Sequence, residues 1–287
     1  MRAEPAHRPL PDFVGIGALK AGTSYLDAML RSHPGLSLPA HLKEVEYFSR
    51  HHARGPAWYA GQFASDDGRP RGEISPQYLH DPACAERIRA ANPTAKVLVS
   101  VRHPVARAYS QYRHWVQETG FAGDFAAFLA AHPGALERSH YWKQLQPYRD
   151  AFPAAQLHVI VFEDIVAEPV AVLRALYSFL GVDPAHVPAA VGEAVNASGA
   201  PRFPRLYVQS KRISRWLYAH GAGATVSRLK ARGPGRLLSR REPTAGAGAS
   251  PPAELAARLG AEFRDDAKQL SAYLDRDLVG LWGLNES

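Results

Sequence analysis

Apolar positions recur along this chain with two different periods, and the alternation between them predicts the elements. "DFVGIG" (Asp12 to Gly17) is a short apolar run closed by glycines, as a buried strand is. "TSYLDAMLRSHP" follows, with Tyr25, Leu26, Met29 and Leu30 at helical spacing. Thr23 and Ser24 are good helix starters and Pro34 is a stop. Gly15 to Gly22 is therefore a strand–loop–helix turn. "AKVLVSVRHP" (Ala95 to Pro104) is the clearest buried strand, and Pro104 opens the helix "VARAYSQYRHWVQ". "QLHVIVFEDI" (Gln156 to Ile165) predicts a third strand, and "PVAVLRALYSFLG" a helix with Gly181 as its C-cap. "YWKQLQPYRDAF" reads as a further helix, bent at Pro147. Strands alternating with helices predict an α/β fold, P-loop-like, with a central parallel sheet flanked by helices. One domain over residues 12–287 is expected, after a short tail at residues 1–11.

Beyond Gly181 the pattern changes. "RLYVQSKRISRWLY" has the spacing of a basic amphipathic helix, and the Gly-, Ala- and Arg-rich stretch from His220 to Pro252 reads as loop. "AELAARLGAEFRDDAKQLSAYL" predicts a long closing helix before "DRDLVGLW". The net charge of +7 is local: Pro201 to Arg241 holds eleven Lys and Arg with no Asp or Glu, so the remainder is net acidic. That segment is either a solvated basic helix and loop or a surface facing a polyanion. Apolar residues at 46% and charged residues at 21% allow a sizeable core. No apolar run is long enough for a membrane span. The stretch "MRAEPAHRPLPDF" lacks an apolar leader core. The single cysteine, Cys84, excludes an internal disulfide and a cysteine metal cage. These features together point to the cytoplasm.

The candidate chemistry begins in "GIGALKAGTS". A Walker A loop is G-x-x-x-x-G-K-[ST], whereas here Lys20 comes two residues before Gly22 and Thr23-Ser24 follow directly. A glycine-rich turn feeding a helix N-terminus offers backbone N–H groups and the positive end of a helix dipole to a phosphate or sulfate. Lys20 adds a mobile charge. A triphosphate-binding enzyme also needs an acid for Mg²⁺. The best strand, "KVLVSV", ends instead in Arg102, and only Glu163-Asp164 after the third strand could serve. A kinase using ATP and Mg²⁺ is the rival enzyme. A basic nucleic-acid-binding protein is the rival of another class, but the aromatics of its segment have helical spacing and no recognised binding motif is present, so no nucleic-acid partner is expected.

With these residues in place, the chain resembles the sulfotransferases that use 3′-phosphoadenosine 5′-phosphosulfate (PAPS), in particular the Golgi heparan sulfate enzymes and their bacterial relatives. "LKAGTSYL" is similar to their first motif, and "VSVRHPVARAYSQY" to their second, an arginine ending a strand with a serine eight residues on. The resemblance runs from about Asp12 to Trp282 and is strongest before Gly181. It implies that Lys20, Ala21, Gly22, Thr23 and Ser24 cradle the 5′-phosphosulfate, and that Arg102 and Ser110 bind the 3′-phosphate. It implies PAPS as donor, adenosine 3′,5′-bisphosphate as product, and no required metal. The acceptor is then a hydroxyl, ahead of an amine, on a glycan or small natural product. Lys20 suits the leaving group, and Glu44 in "KEVEYF" matches the family's glutamate base. Glu46 is the local competitor; in an extended segment it would point the other way. A surface acid paired with Lys43 is the plainer reading of Glu44. "GEISPQYL" is similar to the family's E-K-T-P-x-Y segment, but Ile74 stands where the family has lysine, which puts a heparan-type acceptor in question. Glu73 and Ser75 beside it are candidates for acceptor or cofactor contacts. None of His41, His51, His52, His103 or His114 is assigned catalysis, and neither Arg202 nor Lys230 to Arg241 is assigned to the nucleotide.

Overall fold

The computed structural model describes residues 10–64, 67–192, 200–201, 241–242 and 250–285. Four parallel strands form the central sheet: β1 (Phe13–Gly17), β2 (Gly72–Ile74), β3 (Lys96–Val101) and β4 (Leu157–Val161), in the order β2-β1-β3-β4. The predicted α/β class and parallel sheet are present. Side chains alternate across the sheet, as the period of two requires. Val14, Ile16, Val97 and Val99 face one core; Phe13, Ile74, Leu98 and Ile160 face the other.

Helices cover both faces. The second core is closed by α1 (Thr23–Ser32), α8 (Phe162–Ala167) and α9 (Pro169–Leu180). The first lies under α3 (Ala83–Ala91), α4 (Pro104–Thr119), α5 (Phe125–Ala131), α7 (Tyr141–Ala151), α10 (Ala253–Leu274) and α11 (Leu278–Leu281). Two short helices, α2 (Gly55–Ala60) and α6 (Gly134–Glu137), complete the described helical set. The long closing helix and the C-cap at Gly181, with φ 80°, are as expected.

The third strand is shorter than its apolar run suggests. It ends at Val161, and Glu163 and Asp164 occupy the first turn of α8, where carboxylates complement the helix dipole. Pro147 lies inside α7, which runs unbroken from Tyr141 to Ala151. Two residue pairs, Ala200–Pro201 and Arg241–Glu242, form a small antiparallel ladder, β5–β6. The expected basic helix from Arg205 to Tyr218 and most of the loop that follows lie outside the described residues, as do residues 1–9 of the expected tail. Among the described residues, no helix is long and apolar enough to cross a membrane.

The C-terminal helix is part of the first core. Phe263 is 1% exposed and its ring lies 4.8 Å from that of His140. Phe263→Ala should lower the unfolding free energy by about 3–5 kcal/mol in urea titrations. Asp265→Ala, on the exposed side of the same helix, should change it by less than about 1 kcal/mol.

Candidate active site at the carboxyl ends of the strands

β1 is central, and β2 and β3 lie on its opposite sides. The chain therefore leaves β1 in one direction and returns in the other, which opens a crevice beyond the carboxyl ends of β1 and β3. Open α/β sheets bind ligands at such a switch point. A bulge between Gly15 and Gly17 shifts the β1–β3 register just before the turn and redirects the chain into the loop at residues 18–22.

That loop is fixed by its neighbours. The Ala18 N–H donates to Ser100 O at 2.7 Å, and Ser100 Oγ donates to Ala21 O at 2.5 Å. Arg102 Nη1 donates to Lys20 O at 3.3 Å, and Arg107 Nη1 to Leu19 O at 3.4 Å. Lys20 takes a left-handed φ of 70°. Gly22 has φ 89°, and a Cβ there would lie 2.9 Å from Phe162, so only glycine fits without strain. α1 starts with no side-chain cap, leaving its first N–H groups available to an anion. Ala21 and Thr23 are buried, Lys20 is half-buried and Ser24 is exposed.

Arg102 stands across the crevice at the end of β3. Its guanidinium packs 4.4 Å above the Phe162 ring, and burial lowers its pKa. The nearby Glu163 carboxylate is engaged elsewhere, by the His103 N–H at 3.0 Å and Trp282 Nε1 at 3.2 Å. Asp164 receives both ends of the Arg276 guanidinium. Both acids that could have served Mg²⁺ are thus committed to structural bonds, and no metal-binding cluster occurs among the described residues. Ser110 lies on α4, half-buried, one turn beyond Arg107, and makes no hydrogen bond to Arg102 among the described residues. Arg107 itself, absent from the expected site, is 0% exposed. Its guanidinium bonds only neutral groups among the described residues: Ser139 Oγ, Gln111 Oε1, and the carbonyls of Ala135 and Leu19. Burial brings its pKa down to about 10.

Glu44 reaches the cradle through Lys43. Lys43 Nζ lies 2.7 Å from Ser24 Oγ and 3.3 Å from Glu44 Oε1. The pairing with Lys43 is therefore real, but it sets the carboxylate beside the start of α1 and not on remote surface. Arg31 of α1 holds this segment by the Pro39 carbonyl at 2.5 Å and the Leu42 carbonyl at 3.1 Å. Glu46 is paired with Arg50 at 3.1 Å. The segment is not extended, so strand alternation does not apply to it; Glu46 has a left-handed φ of 51°. His103 is the N-cap of α4, its Nδ1 accepting from the Val105 and Ala106 N–H groups. His51 and His52 pack on Trp58 and Tyr47.

Two expectations are corrected. Glu73 and Ser75 are both 0% exposed and cannot touch an acceptor or nucleotide. Strand alternation turns Glu73 inward, where Ser75 Oγ, the Tyr78 hydroxyl and the Val45 N–H bond it. Ile74 faces the opposite core at 2% exposure, against Gly15. With isoleucine here the position packs against β1 and offers no charge to a ligand.

A glycine turn feeding an uncapped helix at the switch point of a parallel sheet places the protein among P-loop-like α/β proteins. The family model described as the sulfotransferase family matches residues 47–186. Over 187 residues the chain is 29% identical to heparan sulfate glucosamine 3-O-sulfotransferase 6 of Mus musculus, covering 62% of this chain and 54% of that one. It is 36% identical over 112 residues to the membrane-associated sulfotransferase kil1 of Dictyostelium discoideum, covering 38% and 24% of the two chains. A sulfotransferase from Alicyclobacillus acidocaldarius has the same fold, with a TM-score of 0.69 and 26% identity over 95% of this chain and 98% of that one. Residues 47–186 are thus similar to the sulfotransferase family, and the fold of the chain is that of a solved sulfotransferase. The chain spans about half the length of the mouse relative and a quarter of the amoebal one.

Glu73 supplies a pH test of the site's support. Burial pushes its carboxyl from an ordinary 4.5 up to about 7, against the pull of its hydrogen bonds from Ser75, Tyr78 and Val45. The folded state thus favours the protonated form. Its contribution to stability is full below about 4.5 and is lost as pH rises to about 7. Relative to Glu73→Gln, the wild-type unfolding free energy should fall by about 3 kcal/mol across that window, measured by urea unfolding at stepped pH. A pH-independent difference would show that the carboxyl ionises normally.

Proposed function

We propose that this protein transfers the sulfuryl group of PAPS to a hydroxyl, ahead of an amine, of a glycan or small natural product. The observation that carries the reading is the convergence of two cationic stations on one crevice. The uncapped start of α1 with Lys20 lies at the end of β1, Arg102 lies at the end of β3, and Glu44 is bridged to the first station through Lys43. An anion with more than one charged group suits cationic donors at the ends of two neighbouring strands. Arg107 adds positive potential from beneath, with neutral hydrogen-bond partners only.

In this reading Lys20, Ala21, Gly22, Thr23 and Ser24 hold the 5′-phosphosulfate, and Arg102 and Ser110 the 3′-phosphate. Bound PAPS supplies an activated sulfuryl group with a phosphate leaving group. Lys20 offsets negative charge growing on the leaving oxygen. Glu44 accepts the proton of the acceptor hydroxyl. The transfer is in line and leaves adenosine 3′,5′-bisphosphate. No step calls for a metal. Kinship to enzymes named for heparan sulfate supports a carbohydrate acceptor as one member of the class, and a PAPS-dependent screen of glycans and small metabolites, read by mass gain, identifies it.

Two experiments test the reading. Adenosine 3′,5′-bisphosphate should raise the melting temperature well above the effect of ADP, and Arg102→Ala should remove about 2–4 kcal/mol of that discrimination. Equal stabilisation by the two nucleotides, or turnover abolished by EDTA, would sink the assignment. Glu44→Gln should cut kcat by about 10²-fold or more with bisphosphate affinity nearly unchanged, while Glu46→Gln stays mild. Near-normal kcat in Glu44→Gln would move the base elsewhere.

A further inference from the structure

Residues 45–48 follow directly on Glu44, and three of their backbone N–H groups end on one buried carboxylate. The Val45 N–H donates to Glu73 Oε2 at 3.2 Å. The Glu46 N–H donates to Ser75 Oγ at 3.0 Å, and that hydroxyl donates to Glu73 Oε2 at 2.5 Å. The Phe48 N–H donates to the Tyr78 hydroxyl at 3.3 Å, which donates to Glu73 Oε1 at 2.6 Å. Each hydroxyl accepts from an amide and passes its own proton inward, so all the donors converge on Glu73. The Tyr59 hydroxyl is buried near the same carboxylate but outside hydrogen-bonding geometry.

The hub is tied to the strand that carries the cradle. The Ser75 N–H donates to Gly15 O of β1 at 2.9 Å, and β2 pairs with β1 through Glu73 opposite Val14. The restrained segment is irregular and includes the left-handed Glu46, a conformation that a non-glycine residue holds only when its surroundings impose it. Glu73, Ser75 and Tyr78 are each 0% exposed, so their effect on a ligand is indirect.

We infer that Glu73 is a positioning residue for Glu44: its buried carboxylate fixes the backbone of residues 45–48 against β1 and so sets the Glu44 carboxylate at the mouth of the cradle. The inference rests on the reading of Glu44 as the base. The ionised carboxylate, the form that prevails above about pH 7, suits the task because both oxygens then accept, so the variants are compared at pH above that value. A glutamine would present an NH₂ group either to the Tyr78 hydroxyl or to the Val45 N–H and Ser75 hydroxyl, breaking part of the convergence. A displacement of about an ångström at a base is enough to cost catalysis heavily while binding elsewhere persists.

The test uses the full chain with Glu73→Gln, Ser75→Ala, Glu44→Gln and the doubles in the Glu44→Gln background. Amide hydrogen exchange of residues 45, 46 and 48 is read beside kcat on the acceptor found by the screen and Kd for adenosine 3′,5′-bisphosphate. Glu73→Gln should speed exchange of the three amides and lower kcat by about tenfold or more, with Kd unchanged. In the Glu44→Gln background it should cause no further loss, because it acts through Glu44. Ser75→Ala should free the Glu46 amide with a smaller loss of kcat, and it carries the test if Glu73→Gln does not fold. Unchanged exchange, unchanged kcat, or the same loss with and without Glu44 overturns the inference. Near-normal turnover of Glu44→Gln alone instead sinks the base reading, and with it the role given to Glu73.

Discussion

Three successive carbonyl oxygens in the loop after β1 are each captured by a side chain from β3, α4 or the turn between them. Arg107 takes Leu19 O, Arg102 takes Lys20 O and Ser100 takes Ala21 O. A planar trans peptide carries its N–H opposite its C=O. Pulling the carbonyls toward β3 and α4 fixes the peptide planes of the loop, whose Ala21 N–H closes back on Ala18 O at 3.2 Å, and Gly22 continues the loop into an uncapped helix. The cradle is thus imposed by neighbours as well as by its own glycines. The same contacts lock the β1 loop to the end of β3, so the two cationic stations are fixed relative to each other before any ligand arrives.

This arrangement has an electrostatic cost that points to an anion. Arg107 is fully buried with only neutral hydrogen-bond partners among the described residues, and Arg102 is partly desolvated beside it. Buried charge without a counter-ion is expensive. The acids that could neutralise this corner are turned to other work: Glu163 ties the His103 N–H to Trp282, and Asp164 ties Arg276. These bonds dock the C-terminal helices against the corner; the Glu163 charge still acts on Arg102, while the hydrogen-bond partners of Arg107 among the described residues are all neutral. A polyanionic donor would relieve the strain that the fold retains, which is the preorganisation that charge-stabilising catalysis needs.

The long, strongly periodic parts of this architecture were legible in the sequence. "AKVLVSV", the α1 stripe and the 22-residue closing helix have patterns that no competing structure shares. β2 was not legible as a strand, and the reason is Glu73. Three residues, Gly-Glu-Ile, are too few to show a period, and the buried acid breaks the apolar run that would mark a strand. Its burial depends on partners from residues 45, 75 and 78, which no local pattern reveals. The same property misled the reading of Glu73 and Ser75 as ligand contacts, since polar residues in a motif look exposed until their hydrogen bonds are known. On a helix beside Ser110, Arg107 has the pattern of an ordinary surface arginine, and only the closure of α6 and the loop after β1 over it shows otherwise. The β4 boundary slipped because Phe162 continues the apolar run while Glu163 and Asp164 already begin a helix.

Ile74 shows how one substitution can change what a position is for. Strand alternation sends residue 73 to one face of the sheet and residue 74 to the other, among Phe13, Tyr25 and Leu98. A Cβ on Gly15 would lie 2.6 Å from Ile74 Cγ1, so the two residues are fitted to each other and set the spacing of β1 and β2. A lysine at this position would have to carry its ammonium out of an apolar cluster to act on a ligand. With isoleucine the position serves the sheet alone. Among the described residues, Leu42, at 39% exposure, and Lys43 flank Glu44 in its own segment. Those two offer an apolar contact and a single cation already shared with Ser24 and Glu44. Acceptor choice at this edge of the crevice would then depend on shape and on one mobile charge, within limits set by the buried hub that holds the segment in place.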